Sequence, residues 1–175
     1  MMKFTFETDY NQKAMTTMAR ALRKTIRRKR SRRAHIFGWI VVVLGLLLSL
    51  PLGEREFVIG FKPVITWLAV LVILVVLILE DHINGYIARK RILPGTEKAT
   101  AVFHEDGFHS TTEIGETDWH YDKVGFIAET AEYFVFMFSI SHAQVYDKQR
   151  LSGGTVEEFR TFIEDKTGKR ILPVK

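Results

Sequence analysis

The chain has 175 residues, 47 % of them hydrophobic and 26 % charged, and it contains no Cys. That removes disulfides, thiol nucleophiles, Cys-ligated zinc and iron–sulfur centres. The formal charge of +5 is segregated, with +9 over residues 1–35, +1 over 36–95 and −5 over 96–175, and two uncharged apolar runs disfavour a single core in water.

Residues 1–35 read as a basic cytoplasmic arm. Phe4 and Phe6 alternate as in a short strand. Met15, Met18, Leu22 and Ile26 then recur at spacings of three and four, the stripe of an amphipathic helix with Asn11 as its N-cap. The other side carries Arg20, Arg23, Lys24, Arg27, Arg28, Lys29, Arg30, Arg32 and Arg33. Three readings stay open. The cations set membrane topology while the stripe packs on the C-terminal domain; the helix lies on an anionic leaflet as a lipid-headgroup or docking surface; or the cluster binds nucleic acid. The last is disfavoured, because no nucleic-acid fold motif or aromatic platform accompanies the charge.

Two apolar runs follow, residues 36–52 and 63–79, each at the short end of what spans a bilayer. They read as transmembrane helices, since in lipid the backbone must bond within the segment. Gly38, Gly45 and Ser49 fall near one face and suit a close helix contact. Pro51 and Gly53 end the first helix and Pro63 opens the second. Trp39 and Trp67 sit just inside one end of each span, as membrane-interface anchors do. Residues 53–62 are a short outer loop whose Phe57, Val58, Ile59 and Phe61 can lie in the interface. Cations cluster before the first span and after the second, at Arg89, Lys90 and Arg91, so both termini are expected in the cytoplasm of a multi-pass protein of the bacterial inner membrane. A cleaved signal peptide fits poorly, because the run starts late and lacks a small-x-small site. The stretch from Leu93 to Glu97 nearly matches a sorting pentapeptide, but Glu97 stands where Gly is required.

Residues 80–95 continue as a juxtamembrane helix and linker, ended by Pro94-Gly95. Glu80, Asp81 and His82 are adjacent, so their side chains diverge by about 100° and do not converge on one ion. From 96 to 175 the period changes to two. Strands are expected at 99–104, 108–114, 116–121, 124–129, 133–140 and 141–147, with a turn at Asp106-Gly107. The fifth is apolar on both faces, as a covered central strand would be. Thr155 and Glu158 form a capping box for a last helix with Val156, Phe159, Phe162 and Ile163 inward, stopped at Gly168. The fold class is membrane α+β, a two-helix transmembrane hairpin followed by a small antiparallel β domain with a C-terminal helix.

In order and spacing the chain resembles the YcxB-like membrane proteins of bacteria. The residues that carry this are Phe6-Glu7-Thr8-Asp9-Tyr10, the two adjacent spans, Val102-Phe103-His104-Glu105-Asp106-Gly107-Phe108, residues 119–127 with acidic Glu129, Tyr133-Phe134, and residues 145–151 leading to Glu158-Phe159. The family often has a Pro before the lysine that matches Lys148, where this chain has Asp147. The resemblance implies a pleckstrin-homology-like C-terminal domain and no particular activity.

Catalytic and metal signals are weak. His104, His109 and His120, with Glu105, would need to converge to hold zinc, and His104 and His109 are expected to be cross-strand neighbours. Ser141 and His142 face opposite ways in a strand and do not form a nucleophile–base pair. Gly153-Gly154 before a capped helix could hold an anion, though a flexible loop explains them as well. Phosphoinositide binding is fold analogy alone, and a domain at −5 argues against it. The expectation is a non-enzymatic adaptor, regulator or scaffold with no cofactor and no catalytic or metal residues. Its partners are the bilayer, anionic headgroups, and an unidentified membrane protein or a second copy. An accessory transporter subunit is the alternative, and an enzyme a remote one. The acidic domain is expected to dock on the basic arm.

Overall fold

The structure, a computed structural model, describes residues 3–50 and 61–175. The expected helix stop at Pro51 and Gly53 and the outer-loop residues Phe57, Val58 and Ile59 fall outside the described residues. The chain begins with strand β1 (Phe4–Asp9) and helix α1 (Gln12–Lys24), which Asn11 caps by accepting the Ala14 N–H at 3.0 Å. After a break at Thr25–Arg27 come α2 (Arg28–Leu48) and α3 (Phe61–Lys90). The cations Arg28 to Arg33 therefore form the first turns of the long apolar helix itself, not a separate arm.

Helices α2 and α3 are both long and apolar enough to cross a membrane, and only 6 % of the most apolar window in each is buried. They run antiparallel, with Gly38 facing Leu77 and Gly45 facing Val70; a Cβ at either glycine would come within 2.8 or 2.7 Å of those side chains. Ser49, expected on the same contact, instead donates its hydroxyl to the Gly45 carbonyl at 2.8 Å. With 30 residues α3 is about 45 Å long, more than the roughly 30 Å of a hydrocarbon core. Its last turns, from Glu80 onward, are helical as expected and continuous with the apolar part.

The remaining strands are β2 (Lys98–Phe103), β3 (Phe108–Thr112), β4 (Gly115–Trp119), β5 (Phe126–Glu129), β6 (Tyr133–Met137), β7 (Ala143–Asp147), β8 (Leu151–Ser152) and β9 (Ile171–Pro173), with helix α4 (Val156–Thr167) before the last. They form two sheets, β4-β3-β2-β1-β8 and β7-β6-β5-β9. All pairings are antiparallel except β5 with β9, which is parallel. Three strands among the described residues were not expected in this domain: β1, β8 and β9. The first is the consequential one, because β1 pairs along its whole length with β2, from Phe4 opposite Phe103 to Asp9 opposite Lys98. The N-terminal residues are thus part of the domain that residues 96–175 were expected to form alone.

The sheets close on a core of phenyl rings. Phe4 and Phe6 of β1, Phe103 of β2, Phe108 of β3 and Phe134 and Phe136 of β6 are all buried. Phe159 of α4 enters between the sheets, its ring 4.6 Å from that of Phe6, 5.0 Å from Phe103 and 5.1 Å from Phe134. The capping box of Thr155 and Glu158 is formed, and Gly168 ends α4 at φ +63°. Strand β6 is buried at every position, as its sequence predicted. Its even-numbered Phe134 and Phe136 face the ring core, while Tyr133, Val135 and Met137 face a second cluster built with Ala14, Ala21 and Leu22 of α1. Helix α1 therefore covers the outer face of the second sheet, with Met18 and Ile26 at the edge of that contact.

Candidate functional site

One face of α1 holds the sheet and another holds α3. At Gly85 the absence of a side chain lets the Thr16 backbone approach; a Cβ there would stand 2.7 Å from the Thr16 nitrogen and Cα. One turn before Gly85, Asp81 is nine-tenths buried. Arg23 donates from Nε and Nη2 to its two carboxylate oxygens, both at 2.6 Å. This bidentate geometry is the strongest form of the pair, and the Asp81 hydrogen bond raises the Arg23 pKa above its ordinary value. Arg20 Nε lies 3.5 Å from the same carboxylate. Glu80 turns to α2, where its Oε2 is 2.6 Å from His35 Nε2 and 3.4 Å from Ser31 Oγ. Asp81 turns to α1 and Glu80 chiefly to α2, and Arg23 joins the two, its Nε also lying 3.7 Å from Glu80 Oε2. His82 is exposed, and its carbonyl accepts from Gln12 Nε2 at 3.3 Å.

The nine basic residues singled out from the sequence divide into three groups. Arg20 and Arg23 serve Asp81. Lys24 donates to the Lys175 carbonyl, and Arg27 Nε to that of Ile140 at 2.7 Å. Arg28, Lys29, Arg30, Arg32 and Arg33 are exposed and have no carboxylate partner among the described residues. The arm does dock on the sheet domain, but through the apolar stripe of α1 more than through charge: α1 gives that domain one ion pair, Lys13 with Glu132, while Arg20 and Arg23 turn to α3. Where α1 meets α2, a cleft of 760 Å³ opens against the segment after α4. Arg23, Lys24, Arg28, Arg32 and His35 line one wall, and residues 172–175 the other.

Trp39 and Trp67 are 49 % and 42 % exposed on α2 and α3. The matched levels of Gly38 with Leu77 and Gly45 with Val70 put them roughly 14 Å apart along the hairpin. That is less than the roughly 30 Å between two interfaces.

Glu129, Lys148 and Arg160 meet in a structural cluster. Glu129 accepts two bonds from Arg160, at 3.0 and 2.8 Å, and one from Lys148, which also donates to the Thr130 carbonyl at 2.6 Å. Burial works to raise the Glu129 pKa, but the bonds from Arg160 and Lys148 and their charge together outweigh it and hold the carboxyl below its usual value. Asp147 shapes the turn after β7 by accepting the Gln149 N–H at 2.9 Å.

The histidines are dispersed. His109 pairs across to Val102, not His104, and lies against β4, its Nδ1 2.7 Å from Asp118 and its Nε2 3.3 Å from Glu116. The Asp118 hydrogen bond raises its pKa. His104 belongs to the turn, where its N–H donates to the Gly107 carbonyl at 2.8 Å. No group of three or more potential metal ligands occurs among the described residues. Ser141 and His142 lie in the β6–β7 turn, not in a strand; both N–H groups donate to Ser139 Oγ. Gly153 has φ +88°, and a Cβ there would collide with the Lys3 carbonyl oxygen, so this glycine serves the crossing over β1. At the start of α4, the Thr155 and Glu158 N–H groups are taken by the capping box. Sequence reading missed Asp81 and Glu80 as partners of the basic residues; the signal was there, an acid pair just beyond an apolar run with cations in excess elsewhere. No family model matches the chain, and no curated protein or solved structure does so.

Proposed function

We propose that the protein spans the bacterial inner membrane twice, with both termini in the cytoplasm. Its two-sheet domain is a pleckstrin-like module of the YcxB type and acts as a non-enzymatic adaptor or regulator. One observation carries the reading: the domain is built from both flanks of an exposed apolar hairpin. β1 precedes the hairpin, β2 follows it, and the two pair in register. That pairing needs both flanks on one side of a membrane, as two spans provide and one does not. The low burial of α2 and α3 supports a lipid environment, since the core helix of a soluble protein is mostly covered. Cations at the start of α2 and the end of α3 support the cytoplasmic side. The Arg23–Asp81 clamp makes α1 a strut between the sheets and α3, so a partner that moves one displaces the other. This is the arrangement an adaptor needs.

The absence of Cys makes the test simple, because single-cysteine variants report alone. A membrane-impermeant maleimide should label Glu54→Cys in intact cells, and Ser141→Cys only after permeabilisation. Labelling of Ser141→Cys in intact cells overturns the orientation, and release of the protein by alkaline wash overturns membrane insertion. Crosslinking in mild detergent then tests the adaptor role: a stoichiometric membrane partner is expected, and a bare homo-oligomer counts against it.

A further inference from the structure

Among the described residues, five of the nine cations have neither a carboxylate nor a backbone carbonyl to hold them, and they sit where local physics disfavours them. The start of a helix carries positive partial charge, so anions stabilise it and cations do not. Helix α2 begins with Arg28, Lys29 and Arg30, has no acidic residue in its first turn, and has no side-chain cap. Something anionic from outside the described chain would relieve that conflict. Arg28, Arg32 and His35 follow one another at spacings of four and three, so they share one face of α2, and that face lines the 760 Å³ cleft. Of the helix residues at the cleft, His35 is engaged with Glu80, Arg23 with Asp81 and Lys24 with the Lys175 carbonyl, so Arg28 and Arg32 are the uncommitted pair. Two guanidinium groups one turn apart present the planar donor array that suits a phosphate. The neighbourhood also selects the kind of phosphate. The exposed apolar surface of α2 starts with Ile36 and Phe37, one turn beyond Arg32, about 6 Å along the axis. A ligand with its phosphate at Arg28 and Arg32 can lay an acyl chain on that surface; a soluble phosphate cannot.

We infer that the cleft at the α1–α2 elbow binds the headgroup phosphate of an anionic phospholipid from the leaflet facing the sheet domain, with Arg28 and Arg32 as its ligands. The inference rests on the two-span reading above. It also divides the basic cluster: Arg20 and Arg23 hold the fold together, while Arg28 and Arg32 bind lipid. A lipid seated there is wedged between α2 and the segment after α4, so it couples leaflet composition to the position of the sheets.

The test is native mass spectrometry of the detergent-solubilised full chain, offered equal phosphatidylglycerol and phosphatidylcholine. The unsubstituted protein should retain phosphatidylglycerol preferentially. The double variant Arg28→Gln/Arg32→Gln should lose that preference on the order of tenfold, the loss of about one charge-assisted hydrogen bond. Arg30→Gln/Arg33→Gln removes the same charge away from the cleft and should keep it. Equal loss in both double variants means a diffuse electrostatic surface and overturns the site, as does no loss in either. Glycerol 3-phosphate competing as well as the whole lipid overturns the lipid assignment in favour of a soluble anion. All four arginines are exposed, so an unchanged thermal midpoint in detergent verifies folding. Cysteine labelling of the same variants reads membrane placement separately: an intact labelling map with no lipid preference overturns the site alone.

Discussion

Glu129 holds three parts of the sheet domain together, since Arg160 comes from α4, Lys148 from the turn after β7, and Glu129 itself from β5. Replacing it by Gln leaves two cations facing a neutral amide. The expected destabilisation is about 2 kcal/mol, low for a buried pair because Arg160 reaches solvent. Its pH signature follows from the lowered pKa of the carboxyl. The stabilisation is complete above the unfolded value of about 4.5 and is lost as pH falls through the folded value. Thermal unfolding of the protein and of Glu129→Gln should therefore differ most at neutral pH and converge below pH 4.5. A gap that stays constant into acid would mean the carboxylate charge contributes nothing. Tyr121 shows the same economy without charge, its buried hydroxyl donating to the carbonyls of His104, at 2.6 Å, and Gly107, at 3.1 Å.

At the scale of elements, two glycines with similar spacing requirements differ in what they face. Gly38 meets the end of the Leu77 side chain, which can rotate away; Gly85 meets the Thr16 backbone, which cannot. Gly38→Ala should be nearly neutral. Gly85→Ala should cost about 1–3 kcal/mol by overpacking and push α1 from α3. Trypsin cleavage at Arg20 and Arg23 is the readout, and equal resistance in both variants would show that the α1–α3 contact is softer than the geometry says. The elements differ as well in how far they could be read from sequence. The hairpin, the capped α4 and the doubly covered β6 were legible because each is written in a local period or a cap. Strand β1 was legible as a strand, but its partner was not: Phe4 meets Phe103 across the whole hairpin, and nothing near Phe4 encodes that. Strand β9 has three residues, too few for any period. The candidate site was half legible. The cations were plain, but Arg23 and Arg28 look alike in sequence, and only the position of Asp81 separates the clamp from the unpaired cluster.

At the scale of the molecule, the sheet domain is interrupted in sequence and continuous in space. A fragment of residues 96–175 lacks Phe4 and Phe6, each fully buried, and exposes the edge of β2 that β1 covers. Losing one such phenyl ring costs about 3–5 kcal/mol, comparable to the whole stability of a small domain. The fragment should show no cooperative unfolding by circular dichroism, and adding a peptide of residues 3–24 should restore it. A fragment that folds alone would mean β1 is an accessory. The same pairing sets an order of events at the ribosome. β1 leaves the exit tunnel first and waits, unpaired, while the chain from Asp9 to Lys98 is made, roughly 5–20 s at ordinary synthesis rates. On the two-span reading proposed above, the hairpin enters the bilayer during that wait. If only one helix inserts, β1 and β2 end on opposite faces of the membrane and cannot meet. On that reading the fold proofreads its own insertion: an odd number of crossings yields no β domain, and quality-control proteases would meet an open edge strand in place of a finished protein.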